Sequence, residues 1–179
     1  MAKIAVNRAP FLTLWASVVA QRLGYSKEEA LTLGRAVAGL TAQSKGRRLG
    51  IYTQSTDAER KKVQGQREAI GAETVEMMER VVPCVWTPDG LRALSKASPT
   101  DPDAVRKYLA AKFKEALPMV EEKLAALAST FEPSELDAQA MDIYMHLRPN
   151  VPTGREGWGK AGILDTSRID TLISKRAGL

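Results

Sequence analysis

Residues 10–41 read PFLTLWASVVAQRLGYSKEEALTLGRAVAGLT, the longest strongly patterned stretch of the chain. From Phe11 to Leu23 the apolar residues recur at helical spacing, which leaves one wide face to bury. Pro10 suits a first helical position, because its missing N–H would have no intrahelical partner there. Gly24 can take the left-handed conformation that ends a helix without a steric penalty. These features predict a helix that ends in a tight turn at Gly24.

A second helix is predicted directly after this turn. Ser26 and Glu29 match a capping box, in which the hydroxyl and the carboxylate each bind a backbone N–H at the helix start. Beyond them the segment is apolar nearly all round, and only Thr32, Arg35 and Thr41 are polar. A helix that is apolar all round is normally buried. We therefore expect a helical hairpin that is buried in a core or at an oligomer interface.

The small residues of the second helix favour a close contact. Gly34 and Ala38 are four positions apart, so they share one helix face on which another backbone could approach. We expect a homo-oligomer, most simply a homodimer, whose interface contains Leu33, Gly34, Val37 and Ala38.

The hairpin also resembles a DNA-binding helix-turn-helix. In that interpretation Ala20 lies where the first helix is crossed closely, and Gly24 makes the turn. Ser26, Lys27, Thr32 and Arg35 would then face a major groove. The apolar pattern of the second helix favours the buried hairpin, because a groove-binding helix needs a polar face.

Positive charge is concentrated toward the N-terminus. The chain has a formal net charge of +5. Residues 1–70 hold 12 Lys and Arg against 5 Asp and Glu, a net of +7, whereas residues 71–179 hold 14 against 16, a net of −2. Two basic clusters carry this charge: Lys45, Arg47 and Arg48, and Arg60, Lys61, Lys62 and Arg67. Basic clusters attract nucleic acid or another anionic surface, although a solvated loop has the same composition.

We therefore expect a nucleic-acid partner. Lys45, Arg47 and Arg48 would contact phosphates, with Lys27 and Arg35 as secondary contacts. The alternative is a structural or protein-interaction module whose helical hairpin is an oligomer interface and which has no nucleic-acid role.

Composition argues against several other classes. Cys84 is the single cysteine, which excludes an internal disulfide framework and fits a reducing, cytoplasmic compartment. His146 is the single histidine, so no histidine cluster or zinc site built on histidines can form. No apolar run is long enough to cross a bilayer, so we expect no membrane partner. Lys3 and Arg8 precede an apolar run as in a signal peptide, but its helical spacing favours a helix of the mature fold. We expect a non-enzymatic protein with no metal, cofactor or small-molecule ligand.

The remaining segments predict a mainly α fold, a single domain of six to seven helices with a minor β hairpin or small sheet. Its parts would be an arm at residues 1–9, the hairpin (10–44), a mobile basic and polar loop (45–67), a mixed segment (68–98) and a C-terminal helical part (99–179). Residues 81–86 suggest a strand, and 87–96 a short helix capped by Thr87. Further helices are expected from Asp101, from Ser134 with Asp137 as a cap, and from Asp165, with a kink or break near Pro118.

Residues 154–161 match a phosphate-binding P-loop up to the last position. Ala161 stands where that motif needs Ser or Thr, and no buried strand precedes Gly154. We expect a structured surface loop there and no nucleotide site.

Overall fold

The structure, a computed structural model, describes residues 2–48, 56–151 and 162–178. These residues form seven α-helices and six short strands, which confirms the mainly α fold with a minor β element. The helices are α1 (Arg8–Arg22), α2 (Lys27–Arg48), α3 (Asp57–Ala69), α4 (Pro102–Phe113), α5 (Leu117–Ser129), α6 (Pro133–Leu147) and α7 (Ser167–Arg176). The strands are β1 (Lys3–Ala5), β2 (Glu73–Met77), β3 (Arg80–Thr87), β4 (Gly90–Ser95), β5 (Ser98–Pro99) and β6 (Ile163–Asp165).

The predicted helical hairpin is confirmed. Helix α1 ends at the turn before α2, where Gly24 has a φ of +112°, a conformation that favours glycine. The capping box is also present, because the Glu29 N–H donates to the Ser26 hydroxyl at 3.2 Å and the Ser26 N–H donates to the Glu29 carboxylate at 2.9 Å.

Helix α1 lies at the centre of the molecule. Every residue from Pro10 to Ala20 is buried, and α1 packs against α2, α4, α5 and α6. Its buried polar groups are satisfied: Ser17 donates to the Ala30 carbonyl at 3.1 Å and the Trp15 indole to the Ala140 carbonyl at 3.0 Å. An apolar helix with so few polar residues is therefore explained by burial within one chain.

The four strands β2 to β5 form an antiparallel meander beside α2, and β1 pairs with β6 in a separate two-stranded sheet. Strand β5 has only two residues, so it covers only the end of β4. Helix α2 covers the rest of that edge with side chains. The Leu91 N–H donates to the Glu29 carboxylate at 2.9 Å, and the Ala93 N–H to the Thr32 hydroxyl at 3.0 Å. A sheet edge that would otherwise expose its N–H groups is thereby closed.

The strand predicted at 81–86 is confirmed as part of a β2–β3 hairpin. Its two-residue turn consists of Met78 and Glu79, which both have positive φ (+50° and +63°), as a type I′ turn requires. Neither residue is glycine, so the turn depends on contacts elsewhere. The Met78 side chain is buried, and its N–H donates to the Asp137 carboxylate of α6 at 2.8 Å.

We expect Glu79→Gly to stabilise the protein by about 0.5–1 kcal/mol. A left-handed conformation costs a non-glycine residue about 1–2 kcal/mol, and the greater freedom of glycine in the unfolded chain offsets part of the gain. Glu76→Gly is the matched control, since Glu76 is also exposed but lies in β2 without a positive φ, and it should destabilise the protein. Urea denaturation measures both. Equal signs for the two variants would contradict the strain argument.

Three expectations from the sequence are wrong: those for residues 87–96, 45–67 and 1–9. Residues 87–90 form the turn between β3 and β4 instead of starting a helix: the Thr87 hydroxyl donates to the Gly90 carbonyl at 2.8 Å, and Gly90 has a φ of +121°. The loop expected at 45–67 is helical where it is described, through Arg48 and again over Asp57–Ala69. The arm expected at 1–9 is anchored, because β1 pairs with β6 and α1 begins at Arg8.

The helices of the second half begin mostly where the sequence predicts. Asp101 caps α4 by accepting the Asp103 N–H at 3.0 Å, and Asp165 accepts the Ser167 N–H at 3.0 Å at the start of α7. Near Pro118 the structure has two helices, separated by a single 3-10 turn. The cap expected from Ser134 is wrong, because α6 begins one residue earlier without a side-chain cap.

Candidate nucleic-acid interface

Helix α3 lies at the surface, where Val63 and Arg67 are half-buried and its other residues are exposed. None of its 13 residues is buried. It begins with a capping box in which the Glu59 N–H donates to the Thr56 hydroxyl at 3.2 Å and the Thr56 N–H to the Glu59 carboxylate at 3.3 Å. The sequence signal for this helix is the spacing Thr56-x-x-Glu59 followed by straight-chain residues of high helix propensity, although a loop was expected at 45–67.

One side of α3 faces the sheet. The Arg67 guanidinium donates to the Lys96 carbonyl at 2.7 Å, in the turn between β4 and β5. Gln64, Arg67 and Glu68 line a shallow cavity of about 100 Å³ together with Thr74 and Pro83. The helix is thus held at its C-terminal end by a few polar contacts and has no apolar core of its own.

The other side of α3 presents lysines to solvent. An α-helix turns about 100° per residue, so Lys62 lies roughly opposite Gln64 and Arg67, which face the sheet. Lys61 lies at the edge of the outer face that contains Lys62. Both side chains are exposed, and neither forms an ion pair within the described part of the chain. Arg60 differs, because it pairs with Asp57 one turn earlier.

Lys45, Arg47 and Arg48 belong to the last turn of α2, but their side chains lie outside the described residues. We name the region from Lys45 to Arg67 the basic segment. It holds seven Lys and Arg against two Asp and Glu, so its net charge is +5.

The structure does not bring Lys27 to the basic segment. Lys27 forms an ion pair with Glu121 of α5, and Glu28 beside it pairs with Arg106 of α4 at 2.8 Å. At 1.5 Å per residue, Lys27 lies about 27 Å along α2 from Lys45. The helix-turn-helix interpretation stays a prediction: it requires the first turn of α2 to enter a groove, and in this structure Lys27 and Glu28 of that turn are paired with α5 and α4.

Arg35 is also engaged within the chain. Its guanidinium lies 4.6 Å from the centre of the Tyr108 ring of α4, a cation–π arrangement. Burial raises the pKa of Tyr108, and the charge of Arg35 opposes that shift. Arg35 remains exposed, but it acts first as a contact between α2 and α4.

The four residues expected at an oligomer interface lie in the core. Leu33, Gly34, Val37 and Ala38 are all buried within the single chain. The backbone that approaches Gly34 belongs to α1 of the same chain. The apolar pattern that suggested an oligomer interface is therefore accounted for by the fold itself.

The other candidate sites considered from the sequence are Cys84, His146 and residues 154–161. Cys84 is buried, and burial raises the pKa of its thiol to about 11, which keeps it protonated at neutral pH. His146 is exposed in the last turn of α6. Residues 154–161, with the P-loop-like spacing, lie outside the described residues. No group of three or more His, Cys, Asp or Glu in the described ranges could hold a metal ion.

No helix in the described part of the chain is long and apolar enough to cross a membrane. The chain matches no protein-family model, no curated protein and no solved structure.

Proposed function

We propose that this protein binds nucleic acid through the basic segment, Lys45 to Arg67. One observation carries the proposal: α3 is a surface helix without a buried residue that presents Lys61 and Lys62 to solvent. Lysine side chains on an exposed helix can neutralise backbone phosphates and release the counterions bound to them. Such contacts carry no base information, so the binding would depend on charge and shape.

The stability of α3 supports a role in binding. A helix of this length is marginal in water when it has no apolar face to bury. The capping box and the Arg67 contact stabilise its two ends, whereas Lys61 and Lys62 add like charge in its middle. Bound phosphates would offset that repulsion.

The interaction-module alternative has weaker support. The exposed apolar residues near the sheet include Val81 and Trp86, which are 56% and 60% exposed. They lie five positions apart on β3 and therefore point to opposite faces. Two single exposed apolar residues do not form a docking patch. The expected homodimer stays a prediction, now without the four core residues as its interface.

A cytoplasmic location is part of the proposal. The single cysteine, Cys84, is unpaired and buried, which is compatible with a reducing compartment.

We expect Lys61→Gln/Lys62→Gln to reduce the salt dependence of nucleic-acid binding. Each phosphate contact contributes about 0.9 to the slope of log K against log salt, so the double variant should lose about 1.8. The loss should be the same for unrelated duplex sequences. Fluorescence anisotropy with a labelled random duplex and a labelled single strand, each at several salt concentrations, gives the slopes.

The matched control is Lys107→Gln/Lys175→Gln. It removes the same charge from two exposed lysines on α4 and α7, outside the basic segment. Equal slopes in the two double variants would mean that only net charge matters. Wild-type protein that binds neither duplex nor single strand at about 50 mM salt would refute the proposal, because phosphate contacts are strongest at low salt.

A further inference from the structure

The four-stranded sheet has one closed edge and one open edge. Helix α2 and strand β5 cover β4, whereas β2 ends the sheet on the other side, where β3 is its single neighbour among the described strands. Thr74 and Glu76 of β2 are exposed. An exposed edge strand offers unpaired N–H and C=O groups to another extended chain. The sheet can therefore be extended at β2.

The register of the β2–β3 hairpin shows which backbone groups are free. Its two-residue turn joins Met77 to Arg80, and from this pair hydrogen-bonded and non-bonded pairs alternate along the ladder. Thr74 and Glu76 occupy non-bonded positions, so their N–H and C=O groups point away from β3. Pro83, the partner of Thr74, has no N–H to donate, which fits this register. No other residue in the described ranges forms a hydrogen bond with these backbone groups.

The open edge is acidic. Residues 68–79 contain no Lys or Arg and four glutamates, which are Glu68, Glu73, Glu76 and Glu79. All four side chains are exposed, and none forms an ion pair with another described residue. Arg80 is the one cation of the hairpin, and it is directed to α2, where it donates to the Thr41 hydroxyl at 3.2 Å. A chain that approaches β2 therefore meets negative charge that is not neutralised.

Two exposed apolar side chains of β3 lie beside these carboxylates. The Trp86 indole N–H donates to the Glu73 carboxylate at 3.2 Å, and Val81 lies directly opposite Glu76 in the register. Glu73 and Glu76 are three positions apart, so the two pairs lie on opposite faces of the sheet. Each pair suits a lysine or arginine, whose aliphatic stem packs on an apolar side chain while its charged end reaches a carboxylate. A cation over the Trp86 ring adds a cation–π contact.

The shallow cavity at the start of β2 has the same preference. Its volume is about 100 Å³, and Glu68 and Glu73 both line it. Arg67 is the one cation among its lining residues, and the Arg67 guanidinium is bound to the Lys96 carbonyl at 2.7 Å. A basic side chain at one end of an added strand would thus meet two carboxylates there.

We propose that the free edge of β2 binds an extended basic segment of a partner protein, which adds a fifth strand to the sheet. The backbone groups of Thr74 and Glu76 hold the segment, and its lysines or arginines contact Glu73 and Glu76. Like charges disfavour two other occupants. Pairing of two β2 strands would bring the glutamates of both copies together, and a nucleic acid would bring its phosphates to the same carboxylates. This site is separate from the basic segment and does not depend on the proposed nucleic-acid binding.

Fluorescence anisotropy with a labelled peptide tests the charge of the segment. The probe has about nine residues, within the usual range of strand lengths, and repeats Lys-Arg-Thr. It should bind the wild-type protein, whereas a peptide that repeats Glu-Asp-Thr should not. Glu73→Gln/Glu76→Gln should weaken binding of the basic peptide about fivefold or more at low salt. The matched control is Glu115→Gln/Glu122→Gln, which removes two exposed glutamates outside the sheet and should leave the affinity unchanged.

Thr74→Pro separates strand addition from attraction between charges. Proline at this edge position removes one outward N–H, keeps every glutamate and breaks no hydrogen bond of the β2–β3 ladder. Peptide binding should fall several-fold, because a backbone hydrogen bond is lost. Methylation of the peptide nitrogens makes the same test on wild-type protein: of two peptides methylated at odd or at even residues, one should lose binding. Equal binding of both methylated peptides, or no binding of the basic peptide at about 1 mM, would overturn the proposal.

Two results would assign the edge to another occupant and also overturn the proposal. A wild-type dimer that Thr74→Pro dissociates, seen by light scattering, would mean that β2 pairs with a second copy. A lower affinity of Thr74→Pro for random duplex or single strand would mean that nucleic acid reaches this edge. Loss of nucleic-acid binding in Lys61→Gln/Lys62→Gln, with peptide binding unchanged, is expected if the two sites are separate.

Discussion

Gly34→Ala should destabilise the protein by about 3 kcal/mol or more, because helices α1 and α2 touch at this residue. A Cβ atom at position 34 would lie 2.5 Å from the Thr13 carbonyl oxygen and 2.7 Å from the Ser17 nitrogen. Both are backbone atoms of α1, which is buried on all sides and cannot shift alone. The two helices would have to separate, which would open the core around Trp15 and Leu33.

Gly39→Ala, in the same helix, provides the matched control. A Cβ atom there meets nothing within 4 Å, so only helix propensity counts. Alanine is favoured over glycine in a helix by about 1 kcal/mol, and Gly39→Ala should therefore stabilise the protein. Urea denaturation of both variants gives two free energies of unfolding with opposite signs of change. A Gly34→Ala variant within about 0.5 kcal/mol of wild type would contradict the close contact, since that is the range of surface substitutions.

The helical hairpin was predictable because its signals are local. The turn at Gly24 and the capping box of Ser26 and Glu29 each involve residues within four positions of one another. The sequence also predicted that another backbone would approach α2 closely at Gly34. The source of that backbone was not predictable, because Thr13 and Ser17 belong to another helix, and the sequence does not state whether the neighbouring backbone comes from the same chain.

The errors arose where local signals compete. Thr87 before Pro88 matches a helix start, but the same residues also suit a turn. The turn forms because β4 pairs with β3 and packs against α2. Asp137 matches a helix cap in the sequence, yet its carboxylate accepts the Met78 N–H, 59 residues away. Tertiary contacts of this kind override local preferences and leave no trace in a short window.

The candidate interface was predictable only in part. The basic clusters at Lys45–Arg48 and Arg60–Arg67 are visible in the sequence. The helical state of α3 was missed, since a polar segment without apolar period suggested a loop. The ion pair of Lys27 and the ring contact of Arg35 depend on how α4 and α5 pack against α2, which no charge count reveals.

Glu29 links helix α2 to strand β4 through one carboxylate. One oxygen accepts the Ser26 N–H at the start of α2, and the other accepts the Leu91 N–H at the edge of β4. These hydrogen bonds, the Leu91 one first, hold the pKa of Glu29 below its ordinary value of 4.5, although partial burial acts in the opposite direction. Glu28, the preceding residue, instead forms a partly exposed ion pair with Arg106.

We expect Glu29→Ala to destabilise the protein by about 2–3 kcal/mol, because two hydrogen bonds to a charged acceptor are lost and a strand N–H is left unpaired. Glu28→Ala is the control and should cost less than about 1 kcal/mol, as for other exposed ion pairs. Equal losses in the two variants would mean that the carboxylate does not hold β4.

The pH dependence of stability gives a second measurement of the same carboxylate. Since the pKa of Glu29 is lower in the folded state than in the unfolded state, its contribution is complete above pH 4.5 and is lost as the pH falls through the folded-state value. The difference in free energy of unfolding between wild type and Glu29→Gln should therefore shrink on acidification from about pH 6 to about pH 3, whereas the difference between wild type and Glu29→Ala keeps the part that neutral hydrogen bonds provide.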